Sequence, residues 1–238
     1  MRTEPGDDLH RGSAEVCRPT VAADGIGTGP VGVSPGPPGP GVDWDARFDR
    51  PDYIFGTRPN TFLEANVDVI PEGGRVLCIA DGEGRNSIWL AERGYSVEAV
   101  DASTVALAKA ERLAATRGVH VDVRHGDLTR MDWPPARYDA VVGVFLQFVP
   151  SRDRPALWAN IHGTLREGAV FLLIGYTPEQ LRYGTGGPGD VDRLYDPDVL
   201  RRELALFTLD RFVAREYEMD EGPAHRGMSA VIEVIARR

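Results

Sequence analysis

The stretch that decides the fold is Arg75-Val76-Leu77-Cys78-Ile79-Ala80-Asp81-Gly82-Glu83-Gly84-Arg85-Asn86-Ser87. Its first six residues form a short apolar run after a Pro-Glu-Gly-Gly turn, which predicts a buried parallel strand. Glycines at 82 and 84 permit a sharp turn, and the residues from Ser87 onward predict a helix that stops at Gly94. A strand, a glycine-rich turn and a helix in this order begin a parallel sheet that binds ligands at its carboxyl edge.

Strands and helices alternate along the rest of the chain. After the first strand, the predicted strands are 95–100, 119–123, 138–144, 169–176, 207–218 and 227–236. The further helices are one that Ser103 caps and that ends before Gly118, one at 152–165 and one at 198–206. No helix separates the last two strands, so they must form an antiparallel hairpin at the sheet edge. The predicted fold is a doubly wound α/β fold with a seven-stranded, mostly parallel sheet and a C-terminal antiparallel hairpin.

Composition limits the domain organisation and the setting. Residues 1–42 are rich in Gly and Pro without apolar periodicity and are predicted to be a disordered tail before a domain at 43–238. No apolar run is long enough to span a bilayer, and no signal sequence is visible. With only two cysteines and no cluster with metal-ligand spacing, we expect a reduced, cytoplasmic protein without a metal site.

Charge argues against two classes of partner and one class of chemistry. Thirty-six acidic and 27 basic residues give a net charge of -9, which speaks against nucleic acid and anionic membranes as partners. Lys109 is the only lysine, and we place it on a surface helix. Schiff-base chemistry is therefore not expected.

Acidic residues in and near the glycine-rich turn indicate the cofactor. Asp101 ends the second strand, where a carboxylate can accept both ribose hydroxyls. Asp81 and Glu83 would repel a pyrophosphate, and Ser87 stands where a nicotinamide or flavin site expects Gly or Ala. A sulfonium and an ammonium group prefer such a loop, and both are present in S-adenosylmethionine.

The loops after the third and fourth strands complete the predicted cofactor site. Asp127 and the Leu128 backbone are placed beside the adenine, and Phe145 is placed by the methionyl group and the methyl. The predicted cofactor-binding residues are Asp81, Gly82, Glu83, Gly84, Arg85, Asn86, Asp101, Ala102, Asp127, Leu128 and Phe145.

The run Gly82 to Ala91 resembles the cofactor loop of class I S-adenosylmethionine-dependent methyltransferases, in particular the tellurite-resistance and thiopurine methyltransferase-like branch. The resemblance extends over roughly four fifths of the chain and implies a Rossmann-like methyltransferase fold. It is carried further by the runs Trp44 to Phe48, Phe55 to Asn60, Gly175 to Gln180, Gly184 to Pro188, Glu221-Gly222 and His225 to Ser229. Two positions depart from the branch: Glu83 replaces a common Cys, and Arg166 to Ala169 replaces a Pro-Gly-Gly turn.

Fewer residues are expected to contact the methyl acceptor than to contact the cofactor. Tyr176, Gln180 and His225 are the candidate catalytic residues, while Arg58 and Arg182 could bind an anionic group of the acceptor. Four aromatic residues of the N-terminal segment are candidates for a lid over the cofactor, as in related enzymes: Trp44, Phe48, Tyr53 and Phe55.

The expected function is methyl transfer from S-adenosylmethionine to a small molecule by in-line displacement. The resemblance favours a thiol or chalcogen acceptor, since a thiolate needs little base assistance. An O- or N-methyltransferase of specialised metabolism is the alternative within the class. A non-catalytic S-adenosylmethionine-binding protein and an NAD-dependent oxidoreductase are the alternatives outside it. We expect a monomer or a homodimer.

Overall fold

The computed structural model describes residues 43–238, so the predicted disordered tail at 1–42 lies outside the described residues. The sheet within this part of the chain has seven strands in the order β3-β2-β1-β4-β5-β7-β6. The strands are β1 Arg75–Ile79, β2 Ser96–Asp101, β3 Asp122–His125, β4 Tyr138–Val144, β5 Leu165–Tyr176, β6 Thr208–Asp220 and β7 Arg226–Arg237. The helices are α1 Trp44–Phe48, α2 Thr61–Ala65, α3 Arg85–Glu92, α4 Thr104–Arg117, α5 Arg154–Thr164 and α6 Pro197–Glu203.

The first five strands pair in parallel and the last two do not. β1 lies between β2 and β4, with Cys78 opposite Ala99 on one side and Val142 on the other. β7 runs antiparallel to both β5 and β6, so the C-terminal hairpin adds β7 next to the parallel strands and β6 at the edge. The predicted seven-stranded fold with its antiparallel ending is confirmed.

Two strands begin three or more residues away from their predicted first residue. β3 begins at Asp122 rather than at 119, because Gly118, with φ of 68°, ends α4 and Val119 N–H still donates to the carbonyl of Ala114 at 3.1 Å. That helix ending uses up the first residues of the predicted strand. β5 begins at Leu165 instead of 169, where its first pairing is with Tyr138.

The core lies on both faces of the sheet. Along β1, Val76 and Cys78 belong to a cluster that includes Leu90 of α3 and Leu113 of α4. The alternate residues of β1, such as Leu77, belong to a second cluster on α5 and α6 that includes Trp158. Because side chains alternate across a strand, burial on both faces explains the continuous apolar run of β1.

Lys109 is buried, and its predicted place on the surface is wrong. Its side chain is 2% exposed on α4. It forms an ion pair with Glu83 and donates to backbone carbonyls in the segment after α1. One carboxylate and three carbonyls therefore bind the buried ammonium group and offset the cost of its burial.

Among residues 43–238, no helix has both the length and the apolar character needed to cross a membrane.

Gly84 allows α3 and α4 to approach each other. Its φ is +88°, and an added Cβ would lie 2.6 Å from Ile88 Cδ1 and 2.8 Å from Ala110 Cβ. Gly94, at the other end of α3, has a φ of +85° but open space around the Cβ position. The two glycines therefore share the backbone strain and differ in the steric conflict.

We predict that Gly84→Ala lowers the free energy of unfolding by about 2–4 kcal/mol, since it adds a clash to the left-handed strain. Gly94→Ala is the matched control and should cost only about 1 kcal/mol, the strain alone. Urea unfolding of both variants measures the difference. Equal losses would contradict the close contact between Gly84 and Ala110.

Candidate functional site

A cavity of about 270 Å³ opens at the carboxyl ends of the parallel strands. Loops after β1, β2, β3 and β4 form its floor, and the N-terminal segment and the loop between β6 and β7 form the opposite wall. Its lining residues are Trp44, Arg47, Phe48, Phe55, Ala80, Asp81, Gly82, Arg85, Asn86, Asp101, Ala102, Gly126, Asp127, Leu128, Val144, Phe145, Phe148, Tyr176, Ala224 and His225.

The turn after β1 brings two buried carboxylates together. Ala80 and Gly82 both have positive φ, at 49° and 61°, so the chain reverses within the turn. Asp101 accepts from the Gly82 N–H and the Ser103 N–H, each at 2.8 Å. Asp81 accepts a short hydrogen bond from the Ser87 hydroxyl, and its Oδ1 has no hydrogen-bond partner among the described residues.

Burial makes both carboxyl groups costly to ionise. It raises the pKa of Asp81 to about 6, and the charge of Asp101 adds to this effect, whereas the Ser87 hydroxyl opposes it. Burial also raises the pKa of Asp101, against the lowering effect of its two backbone hydrogen bonds. A cationic group placed between them would relieve this cost.

The loop after β3 contributes a more exposed acid. Asp127 Oδ1 accepts from the Thr129 N–H at 2.8 Å and from its hydroxyl at 2.7 Å. The Thr129 side chain holds the pKa of Asp127 below its ordinary value. Leu128 beside it is buried in the cavity wall.

An aromatic cluster closes the other end of the cavity. Phe145, after β4, has a φ of 57°, an unusual conformation for a bulky residue, fixed by a hydrogen bond from its N–H to the Ile174 carbonyl at 2.8 Å. Its ring stacks on Tyr176 at 4.7 Å and meets the His225 ring edge-on at 4.4 Å. Phe55 approaches His225 from the other side at 4.5 Å.

The polar groups of this cluster are neutral near pH 7. Burial and the nearby charges of Arg85 and Arg47 lower the pKa of His225 well below its ordinary value. Its Nδ1 has no hydrogen-bond partner among residues 43–238. Burial raises the pKa of Tyr176 far above its ordinary value, so the phenol keeps its proton.

Of the three predicted catalytic residues, the structure brings Tyr176 and His225 to the cavity and not Gln180. The Gln180 side chain is buried and donates to Thr185 Oγ1 and to the Gly186 carbonyl, both at 3.1 Å. Its Oε1 accepts from the Ala230 N–H at 2.8 Å. With its amide already bonded at both ends, Gln180 holds the 184–189 loop against β7.

A different glutamine, Gln147 in the loop after β4, holds the backbone of Tyr176. Its side-chain amide donates to the Tyr176 carbonyl at 2.7 Å and accepts from the Tyr176 N–H at 2.6 Å. Both hydrogen bonds are buried and fix the end of β5 against the loop that contains Phe145.

Nine of the eleven predicted cofactor residues line the cavity, and Glu83 and Gly84 do not. The expectation that Glu83 contributes negative charge beside the cofactor needs correction, because its carboxylate pairs with Lys109 and accepts from the Ile54 N–H at 2.8 Å. Gly84 faces α4. The acidic character of the cavity therefore rests on Asp81, Asp101 and Asp127.

The aromatic N-terminal segment is divided by the fold. Trp44, Phe48 and Phe55 line the cavity, while the Tyr53 hydroxyl donates to the Lys109 carbonyl at 3.2 Å outside it. Neither predicted anion-binding arginine lines the cavity: Arg58 donates to the Asp220 carbonyl at 3.4 Å, and Arg182 pairs with Glu216 on the surface.

Sequence reasoning missed several lining residues. Arg47 lies three residues after Trp44, a helical spacing that places both on one face of α1. Phe148 follows the end of β4, and Ala224 lies in the turn between β6 and β7. Neither position carries a distinctive residue pattern.

Among residues 43–238, no group of three or more His, Cys, Asp or Glu could hold a metal ion.

A comparison with known protein families matches the part of the chain that forms the floor of the cavity. Residues 76–168, from β1 into β5, match the family model described as a methyltransferase domain. This part of the chain is similar to a methyltransferase domain. S-adenosylmethionine is the cofactor of this class of domain.

Curated proteins resemble this chain in sequence, and solved structures resemble it in fold. Demethylmenaquinone methyltransferase of Deinococcus radiodurans is 33% identical over 56% of this chain and 54% of its own length. A structure reported for the conversion of a disulfide bond into a thioacetal group during echinomycin biosynthesis has a TM-score of 0.66 at 20% identity, over 82% and 90% of the two chains. TehB from Haemophilus influenzae has a TM-score of 0.60 at 18% identity, over 74% and 61%. Matches to curated relatives span between 40% and 63% of those proteins' own lengths.

The cavity fits S-adenosylmethionine chemically. The buried Asp81 has a carboxylate oxygen without a partner, which suits the ammonium group of the methionyl part. Asp101 keeps lone pairs available for ribose hydroxyls beside its backbone hydrogen bonds. The cavity thus offers acids where the cofactor is cationic or rich in hydroxyls, and aromatic rings beyond.

We predict that Asp81→Asn stabilises the ligand-free domain at pH 8 and weakens S-adenosylmethionine binding. A buried acid with its folded pKa raised stabilises the fold as pH falls and costs up to about 3 kcal/mol once ionised above pH 6. Melting temperatures of wild type and variant should therefore diverge between about pH 4 and pH 6, the variant being the more stable at the higher pH. Calorimetry at pH 8 should show an affinity for S-adenosylmethionine about tenfold lower in the variant.

Asp127→Asn is the control for this pH effect. Its pKa is lowered rather than raised, so its loss should not stabilise the domain at pH 8. Parallel pH curves for wild type and Asp81→Asn would contradict the raised pKa of Asp81.

Proposed function

We propose that residues 43–238 form one methyltransferase domain that methylates a small-molecule acceptor whose attacking atom is already ionised, a thiol or chalcogen species. The observation that carries this proposal is the contrast between the two ends of the cavity. One end contains the acids Asp81, Asp101 and Asp127, and the other contains neutral aromatic side chains without a carboxylate.

On this proposal the acidic end binds the cofactor. Asp81 binds the ammonium, Asp101 accepts from the ribose hydroxyls, and the loop at Asp127 and Leu128 lies beside the adenine. When bound, S-adenosylmethionine supplies a methyl group on a sulfonium, already activated for displacement. The protein's remaining tasks are to orient the acceptor and to exclude water.

The aromatic end orients the acceptor. The rings of Phe55, Phe145 and Tyr176 pack against the buried His225 and exclude water from the region next to the cofactor's methyl end. Aromatic faces also favour a neighbouring sulfonium by cation–π attraction. Arg47 and Arg85 also line the cavity, and the Arg85 guanidinium pairs with the buried Glu221 carboxylate at 2.9 Å.

This end offers no strong base. The lowered pKa of His225 makes its imidazole a weak proton acceptor, and the Tyr176 phenol keeps its proton at neutral pH. A hydroxyl or amine acceptor requires proton removal, whereas a thiolate or selenolate does not. The tellurite-resistance and thiopurine methyltransferase-like resemblance of the cofactor loop points in the same direction.

The first test is calorimetric titration with S-adenosylmethionine, S-adenosylhomocysteine and NAD in parallel. We expect micromolar affinity for the first two and none for NAD, because a pyrophosphate would face Asp81. NAD binding would favour an oxidoreductase. Binding of the first two without turnover on any acceptor would favour a non-catalytic S-adenosylmethionine-binding protein.

The second test asks whether the enzyme or the acceptor supplies the ionisation. S-adenosylhomocysteine release is measured against pH for two thiols of different pKa and for a phenol. We expect kcat/KM to rise with pH, and the midpoint of that rise to follow the pKa of the particular thiol used. The variant His225→Asn should change the rate by less than about fivefold.

One pKa common to all acceptors, combined with a loss of about a hundredfold in His225→Asn, would identify His225 as a general base. That result would favour an oxygen or nitrogen acceptor. Phe145→Leu is the matched comparison, since it removes a ring from the same cluster without removing a titratable group.

A further inference from the structure

Lys109 contacts both walls of the cavity without lining it. On one side its ammonium pairs with Glu83, in the turn that places Asp81 and Gly82. On the other side it donates to the carbonyls of Phe48 at 3.3 Å and Asp52 at 2.6 Å. A third carbonyl, that of Arg50, accepts from it at 3.0 Å.

The segment that Lys109 holds forms the roof of the cavity. We call residues 44–55 the roof, because Trp44, Phe48 and Phe55 cover the turn after β1. The Phe48 ring lies 3.5 Å from the position of a Cβ at Gly82, so the roof rests directly on the cofactor turn.

Glu83 joins the same two parts from the opposite direction. One carboxylate oxygen pairs with Lys109, and the other accepts from the Ile54 N–H of the roof at 2.8 Å. The pair is nearly inaccessible, each side chain being 2% exposed. Removing one partner would leave the other as an unpaired buried charge.

The arrangement suits an ammonium rather than a guanidinium group. One carboxylate and three carbonyls converge on a single nitrogen, whereas arginine presents its donors in a planar fork. All other basic residues counted as Lys or Arg in this chain are arginine. The exception lies where four acceptors surround one point.

We propose that Lys109 is a positioning residue that couples closure of the roof to the cofactor-binding conformation of the turn at Asp81 and Gly82. The coupling acts through Glu83, and it makes the affinity for the cofactor depend on the roof. This inference rests on the proposed function, since it assigns S-adenosylmethionine to the cavity.

The test compares wild type with Lys109→Met, which removes the ammonium and keeps an apolar stem. We expect its affinity for S-adenosylhomocysteine, measured by calorimetry, to fall at least about tenfold. Hydrogen exchange should show that the ligand protects peptides 48–54 and 82–85 together in wild type. In the variant, the ligand should no longer protect 48–54.

Arg154→Met is the matched control. Arg154 is likewise a buried cation that binds one carboxylate, Glu203, and two backbone carbonyls, those of Asp192 and Leu194, outside the cavity lining. We expect it to lower the melting temperature and to leave the affinity for S-adenosylhomocysteine within about twofold.

The double variant Glu83→Gln/Lys109→Met separates positioning from stability. Removing both charges together avoids an unpaired buried charge, so part of the melting temperature should return. Affinity for the ligand should stay low, because the link to the roof is still missing. Affinity that returns together with the melting temperature would overturn the proposal.

Two further results would overturn it without depending on how Lys109→Met folds. The first is protection of 82–85 alone when the ligand binds to wild type. The second is unchanged exchange at 48–54 in ligand-free Glu83→Gln. If wild type binds no S-adenosylhomocysteine, the proposed function fails, and this ligand-free comparison still tests the role of the Lys109–Glu83 pair.

Discussion

The constraint on which the structure depends is the tight turn at the carboxyl end of β1. Positive φ at Ala80, Gly82 and Gly84 reverses the chain within a few residues, so α3 starts directly above the sheet. This turn brings the Gly82 N–H to Asp101 at 2.8 Å and Asp81 into the same buried space. Two carboxylates are thereby held in low-dielectric surroundings, and the Arg85 charge near Asp81 offsets only part of the cost of burial. Their raised pKa values are the cost of keeping a site ready for a positively charged ligand.

Much of this arrangement could be predicted from the sequence. The apolar run of β1, the two glycines and the acid at the end of β2 have local patterns, and parallel topology brings the strand ends to one edge. The C-terminal hairpin could be predicted because no residues with helical spacing lie between its two strands. The boundary of β3 was less accessible: the residues after Gly118 have strand propensity, but the hydrogen bond from Val119 to Ala114 belongs to the helix end.

The errors in the site have a common physical origin. Lys109 lies three residues after Ala106 and four before Leu113, both buried, so its spacing placed it on the buried face of α4 while its charge indicated the surface. The decisive information was nonlocal, since Glu83 and the carbonyls around Phe48 come from distant parts of the chain. The position of Gln180 also depends on a distant residue. A glutamine could bind a substrate through its amide, but here the N–H of Ala230, fifty residues away, donates to the Gln180 side-chain oxygen.

The aromatic end of the cavity limits the chemistry that is possible there, because its titratable side chains are neutral. A group that must remove a proton needs a pKa near the working pH, and here burial drives His225 and Tyr176 in opposite directions, each toward its neutral form. Phe145 contributes to this burial by holding a left-handed backbone that turns its ring onto both residues. A strained conformation of a bulky residue persists only where its surroundings fix it, and here the Ile174 carbonyl and two rings do so. The same burial therefore keeps both His225 and Tyr176 neutral, and under the proposed function this leaves the ionisation of the acceptor itself as the source of reactivity.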